Sequence, residues 1–274
     1  MNTISVLFIG DIVGEPGLKE IELKLPSLIS KYNAEFVILN AENVDNGKGL
    51  NEKQSECLFK AGAHILTTGN HIWDNWKSRP LLTENPNILR PYNYPTGNPG
   101  RGFAFYAINE NITIAVLQLQ GRMFMQPIDC PFKISDNALS YIHQKTKNII
   151  VDFHAEATAE KLTMGWHLNG RVSAVLGTHT HIQTTDACIL DKGTAYITDV
   201  GMSGPYDSVL GMRKDIALKR FTLQTAYKYE IASEDVRICG VNIIINPENG
   251  NAIEIKSFSE PEPIRKIEII PTDQ

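Results

Sequence analysis

Seven side chains that could hold metal ions recur along this sequence in short polar turns: Asp11, Glu42, Asn43, Asn70, His154, His179 and His181. Asp, Glu and Asn offer oxygen, and His offers imidazole nitrogen. The set contains no sulfur, which favours iron, manganese or zinc over an ion that seeks thiolate. His179 and His181 lie two residues apart. In a strand that spacing puts both on one face; in a turn it lets them clasp adjacent ions. A carboxylate such as Glu42 can bridge two cations, and two cations about 3.5–4 Å apart are the usual arrangement for in-line attack at phosphorus. His71 follows Asn70 directly and is the candidate general acid, a role typically worth about 10²–10⁴-fold.

Each candidate follows or ends a stretch that reads as a buried strand. Residues 4–10 are an apolar run closing on Gly10-Asp11, residues 35–40 lead into Asn40-Ala41-Glu42-Asn43, and residues 63–68 lead into Gly69-Asn70-His71. Residues 148–153 precede His154, and residues 172–177 precede Thr178-His179-Thr180-His181. In open α/β sheets, ligands bind outside the carboxyl ends of strands, so five such turns can converge on one cleft. Between the first strands, residues 16–31 carry a helical stripe interrupted by Pro26, which predicts a kink or break. Residues 51–61 read as a helix closed by Gly62. This β-α-β-α-β order predicts a mostly parallel sheet at the N-terminal end.

Further on, residues 85–102 are rich in Pro, Gly and Asn and read as a surface loop. Residues 103–108 and 112–119 form a hairpin in this reading, residues 135–147 a helix with Ser135 as N-cap, and residues 158–164 part of another helix. Residues 195–198 read as a strand, and residues 237–245 with 252–258 as a closing hairpin. The tail after Glu260 has two prolines and alternating charge. The expected fold is α/β: two mixed sheets packed as a four-layer sandwich with flanking helices, in one domain over residues 1–274. A single Rossmann-like sheet is the alternative.

Composition narrows the partners. The chain is 42% hydrophobic and 21% charged, enough to bury a core, and its net charge of −5 argues against duplex DNA and anionic membrane. Four scattered cysteines, no basic-then-apolar leader and no long apolar run suggest a reducing cytoplasm. A homo-oligomer is the base-rate expectation. The bland roles come first elsewhere. His64 reads as core, His143 and His167 as surface, Trp73 and Trp76 as packing, and Arg101 and Arg122 as surface charges.

Taken together and in this order, the turns resemble the calcineurin-like metallophosphoesterase superfamily, whose pattern is D-x-H, GD, GNH, a lone His and GHxH. Two departures stand out: Val13 occupies the first-motif histidine position, and Glu42 followed by Asn43 occupies the bridging-aspartate position. That variant resembles the YmdB-like bacterial branch, as do residues 170–174, 177–184 and 198–208. The resemblance spans about residues 4–258. It implies a β-sandwich with flanking helices and two divalent ions, iron or manganese first, zinc or magnesium next. Asp11, Glu42, Asn43 and His181 would hold one ion; Glu42, Asn70, His154 and His179 would hold the other. The implied activity is hydrolysis of 2′,3′-cyclic nucleotides, other small phosphodiesters or RNA ends by a metal-bridging hydroxide, with His71 as acid. A phosphomonoesterase or protein phosphatase, and a metal-binding regulatory protein, are the alternatives.

Overall fold

A computed structural model describes residues 3–262. The chain begins with β1 (Ile4–Ile9), the two-residue β2 (Asp11–Ile12) and helix α1 (Gly14–Tyr32). β3 (Phe36–Asn40), α2 (Glu52–Ala61) and β4 (Ile65–Thr67) follow, then a 3-10 turn over Asn70–Trp73 and α3 (Ser78–Glu84). The second half runs β5 (Phe103–Ala107), β6 (Thr113–Gln120), α4 (Pro131–Ile142), β7 (Asn148–His154), α5 (Thr158–Leu168) and β8 (Ala174–Thr178). It ends with β9 (Cys188–Ile189), β10 (Ala195–Ile197), β11 (Met202–Pro205), α6 (Lys214–Leu223), β12 (Val236–Ile245) and β13 (Ala252–Glu260).

Two mixed sheets result. One is ordered β2-β11-β12-β1-β3-β4 with β13 on β12, and the other β5-β6-β7-β8-β10-β9. The strand period of two explains the layering. In β1, Ile4, Val6 and Phe8 face a core shared with Ile114, Val116, Ile150 and Leu176 of the second sheet. Leu7 and Ile9 point the other way, against Leu18, Ile21, Leu25 and Leu58 of the first two helices. β6 and β7 divide the same way, with Leu117, Val151 and Phe153 packing on Leu139, Ile142 and Met164 of α4 and α5. Strands covered on both faces read as continuous apolar runs, which is why the sequence marks them. The four-layer sandwich is therefore as expected, and the single-sheet alternative fails. β1, β3 and β4 are parallel; the closing hairpin adds antiparallel to β1, which makes that sheet mixed.

Two expectations about helices need correction. α1 runs through Pro26 unbroken, because Pro26 is exposed and its freed carbonyl partner can turn to water while Ile21, Leu25 and Leu28 stay buried. α4 starts at Pro131 and not at Ser135: proline suits the first helical position, where its missing N–H costs nothing. Ser135 sits inside the helix and donates to the Phe132 carbonyl at 2.7 Å. No helix among the described residues is long and apolar enough to cross a membrane. The expectation for the tail falls largely on residues 263–274, outside the described ones.

One buried ion pair ties the second sheet to the candidate site. Lys161 of α5 is 1% exposed and Asp199 is fully buried; Nζ lies 2.7 Å from Oδ2. Asp199 also accepts from the Thr180 hydroxyl and amide at 2.6 and 3.1 Å and from the Gly201 amide at 2.8 Å. Removing one partner of such a pair strands the other in a medium that cannot solvate it. Asp199→Ala should therefore lower unfolding free energy by about 3–5 kcal/mol in urea denaturation. A loss under about 1 kcal/mol would show that Lys161 finds another partner.

Candidate metal centre

The seven candidates sit on five separate connections, all at the carboxyl ends of strands, and the fold brings them to one edge of the sandwich. Asp11 is on β2, immediately beyond β1; Glu42 and Asn43 follow β3; Asn70 follows β4; His154 ends β7; His179 and His181 follow β8. Glu42, His154 and His179 each present a ligand atom within 4.8 Å of the other two. His154 Nε2 is 2.9 Å from Glu42 Oε1, 3.1 Å from His179 Nδ1 and 3.2 Å from Asn70 Oδ1. Asp11 joins through its Oδ2, which accepts the His179 amide at 3.2 Å. Asn43, His71, His179 and His181 line one cleft of about 460 Å³ with Glu42.

Hydrogen bonds outside the cluster fix which ring nitrogens face it. His154 Nδ1 lies 2.9 Å from the Thr178 hydroxyl, whose own proton goes to Asp152 at 2.7 Å. The hydroxyl therefore accepts from Nδ1–H, and in the neutral ring Nε2 carries the lone pair. His179 Nε2 lies 3.0 Å from Glu156, which leaves its Nδ1 for the cluster. His181 Nδ1 lies 3.2 Å from the Leu210 carbonyl, so its Nε2 is free. Such outer partners orient metal-binding histidines and raise their basicity. Asn43 spends its Nδ2 on the Gly47 carbonyl at 3.0 Å, and its Oδ1 has no partner among the described residues.

The result is a convergence of acceptors with too few donors. Among the described residues, Asp11 Oδ1 and Asn43 Oδ1 are buried without a hydrogen-bond partner, and Glu42 Oε1 faces only the Nε2 of His154. Buried polar atoms left unpaired are costly, and a protein rarely keeps several together. A cation held by these residues would satisfy all of them at once. Charge agrees. Asp11, Glu42 and Asp152 are fully buried, and the nearby cation Lys161 is already committed to Asp199. Burial pushes the Asp11 carboxyl up and raises that of Asp152 to about 7. Burial also raises Glu42, but the charge that His154 takes up and the hydrogen bond it then makes outweigh burial and hold Glu42 at about 2. Burial and the neighbouring His154 together lower His179 to about 3. The residues fit divalent ions: four oxygen donors, three imidazoles and an excess of buried negative charge.

The backbone is strained to achieve this. His179 and His181 have φ of 96° and 66°, a region non-glycine residues seldom occupy. Strain of this kind costs on the order of 1–3 kcal/mol per residue and persists where the surroundings enforce it. Here Asp199 clamps Thr180 between the two histidines through both its amide and hydroxyl. Gly69 opens the centre, because a Cβ there would overlap the Glu42 carboxylate and the His154 ring.

Val13 and Asn43 form an isolated β-bridge, and Gly14 N–H donates to the Asn43 carbonyl at 3.0 Å. Asn43 thus stands directly beside Val13. His71 borders the cleft; its amide donates to Glu42 Oε2 at 3.1 Å and its Nδ1 lies 2.9 Å from Asp74. The remaining histidines lie apart. His64 Nδ1 accepts the Val37 amide, His143 meets the Arg171 carbonyl, and His167 pairs with Asp136. Trp73 packs on Tyr94, and Trp76 is 75% exposed.

Sequence reading misses Asp74, Asp152, Glu156, Thr178, Lys161 and Asp199. Asp152 is the one with a signal: a lone acid inside an apolar strand, two residues before a candidate ligand. Thr178→Val should keep the fold and weaken metal binding by about 10–100-fold, read by competition with a chromogenic chelator. Unchanged affinity would mean that the Thr178 hydroxyl does not orient His154.

A model of the YmdB-like protein family matches residues 7–258. A 2′,3′-cyclic-nucleotide 2′-phosphodiesterase of Bacillus subtilis is 45% identical over 251 residues, covering 92% of this chain and 95% of that protein. Among solved structures, a hypothetical protein from Thermus thermophilus superposes with a TM-score of 0.87 at 39% identity, covering 93% and 98% of the two chains. A structure described as a novel phosphatase from Mycoplasma pneumoniae gives a TM-score of 0.88 at 33% identity, covering 94% of each chain.

Proposed function

This chain belongs to the YmdB-like family, and we propose that it is a metal-dependent phosphodiesterase that hydrolyses 2′,3′-cyclic nucleotides or related small phosphodiesters. The observation that carries the reading is the meeting of acceptors from Asp11, Glu42, Asn43, Asn70, His154 and His179 beside a cleft that Glu42, Asn43, His179 and His181 line. Asp11, Glu42, Asn43 and His181 would hold one divalent ion. Glu42, Asn70, His154 and His179 would hold a second, with Glu42 shared. Donors of oxygen and imidazole without sulfur suit iron or manganese. When bound, such ions bind phosphate oxygens, offset the charge developing in the transition state and lower the pKa of water.

The chain's own residues supply the rest. The same cleft is also lined by Val209, Leu210, Met212, Phe221 and Tyr229, which offer an apolar surface to sugar and base. Lys48 borders the same cleft and lies 3.1 Å from Asp74, beside His71. With Nδ1–H committed to Asp74, His71 keeps Nε2 for a proton. It can deliver that proton to the ribose oxygen that leaves as water adds to phosphorus. Asp74 holds the ring in this orientation, as a carboxylate does for the histidine of a hydrolytic triad.

The test combines elemental analysis of the purified protein with turnover of 2′,3′-cyclic AMP in the same sample. About two metals per chain with hydrolysis is the expected result. Faster cleavage of bis-p-nitrophenyl phosphate than of p-nitrophenyl phosphate would further separate a diesterase from a monoesterase. Folded protein that stays metal-free and inactive after addition of Fe²⁺ or Mn²⁺ would overturn the reading.

A further inference from the structure

A second cleft, of about 940 Å³, opens along β5, the edge strand of the second sheet. It shares no lining residue with the metal cleft. Its charge is opposite to that of the protein as a whole: Arg90, Arg101 and Lys145 line it and no carboxylate does, in a chain of net charge −5. Among the described residues none of the three forms an ion pair.

Arg90 is the strongest feature. It is 7% exposed, and a guanidinium that deep is normally matched by a carboxylate or another anion. Here its Nε and Nη1 reach only main-chain oxygens, those of Pro99, Pro91 and Tyr92 at 3.4, 2.8 and 3.3 Å. Those dipoles fix the group, yet they leave its full charge uncompensated and Nη2 without a protein partner among the described residues. The second feature is aromatic. Phe103 and Phe105 lie on the same face of β5. Phe103 meets Tyr92 edge-on at 5.3 Å and Phe105 at 5.8 Å, and it contacts Tyr141 at 5.9 Å. The Lys145 ammonium sits 4.7 Å from the Phe105 ring centre. All four rings are only partly covered or exposed, so part of each is open to a ligand beside the Lys145 ammonium.

Fixed cations interleaved with open aromatic rings match one chemistry, that of phosphate alternating with planar base. We infer that this cleft binds nucleotide units, with phosphate at Arg90, Arg101 and Lys145 and a base against Phe105 and Tyr141. The unit can come from a free mononucleotide or from a single-stranded RNA. The volume, about twice that of the metal cleft, accommodates more than one unit. None of the metal ligands takes part, so the inference stands whether or not the diesterase reading does.

Fluorescence anisotropy with a labelled ten-residue oligoadenylate, on the full chain with its metals, tests it. Arg101→Glu with Lys145→Glu should weaken binding at least about tenfold and flatten the log Kd–log salt slope by about 0.7 per lost phosphate contact. Phe105→Ala should weaken binding about fivefold or more. Arg101 and Lys145 are exposed, so the double variant should keep the fold, and its hydrolysis of bis-p-nitrophenyl phosphate should be unchanged. Displacement of the oligonucleotide by AMP would support a one-nucleotide site; retention against AMP would support recognition of the strand. Absence of binding by the unaltered protein, or equal binding by the double variant, would overturn the inference.

Discussion

Glu42→Gln should leave a folded protein that holds neither ion and hydrolyses 2′,3′-cyclic AMP at least about 10³-fold more slowly. Glu42 is fully buried and sits at the middle of the cluster, with Oε1 2.9 Å from His154 Nε2 and Oε2 accepting the His71 amide at 3.1 Å. Glutamine keeps the shape and loses the charge. It also turns one acceptor into a donor, at a point where the geometry calls for a shared anion. Far-ultraviolet circular dichroism should be unchanged, since the substitution adds no volume. Retention of two metals per chain, or of more than about a tenth of the rate, would show that Glu42 bridges nothing.

The same carboxylate sets the pH dependence of metal uptake. Burial alone would lower the His154 pKa, but the Glu42 charge and hydrogen bond, with Asp11 and Asp152, outweigh burial and raise it to about 9. A proton therefore stands in for the cation in the metal-free protein below that pH. Metal must displace it, so apparent affinity should fall as pH drops below about 9, with protons released on binding. Titration calorimetry in buffers of different ionisation enthalpy counts those protons. Affinity that is flat from about pH 9 down to about pH 6 would contradict this account.

What the sequence made legible follows from what each residue does locally. The strands buried on both faces announce themselves as apolar runs, and the polar residue that ends each run is forced to the sheet edge, so the seven candidate ligands could be picked out from their order. The groups that orient those ligands could not. Lys161 and Asp199 are separated by 38 positions, and either alone reads as an ordinary charged residue on a helix or in a turn. Asp74 lies in a polar turn where aspartate is common, and Thr178 reads as one more turn residue although its hydroxyl links Asp152 to His154. α6 escapes notice for a different reason. Its Leu218 and Phe221 are 63% and 74% exposed, so its apolar residues trace no core-facing stripe. Periodicity reports burial, and a helix that forms a cleft wall with little burial leaves no such trace.

His71→Ala should keep both metals and lose about 10²–10⁴-fold in kcat on 2′,3′-cyclic AMP. The metals should stay because the contact between His71 and the cluster is made by its backbone amide, which alanine retains. The rate should fall because the lost ring is the one held by Asp74 at 2.9 Å with its other nitrogen free, on the border of the cleft. The leaving group decides between a proton donor and a mere wall. A ribose alkoxide needs a proton as it departs, whereas p-nitrophenolate is stable without one. The variant should therefore lose far less on bis-p-nitrophenyl phosphate than on the cyclic nucleotide. Asp74→Asn should fall between the variant and the unaltered protein, because the ring remains but is less firmly held. An equal loss on both substrates would make His71 a binding residue instead, and loss of metal would place it among the ligands.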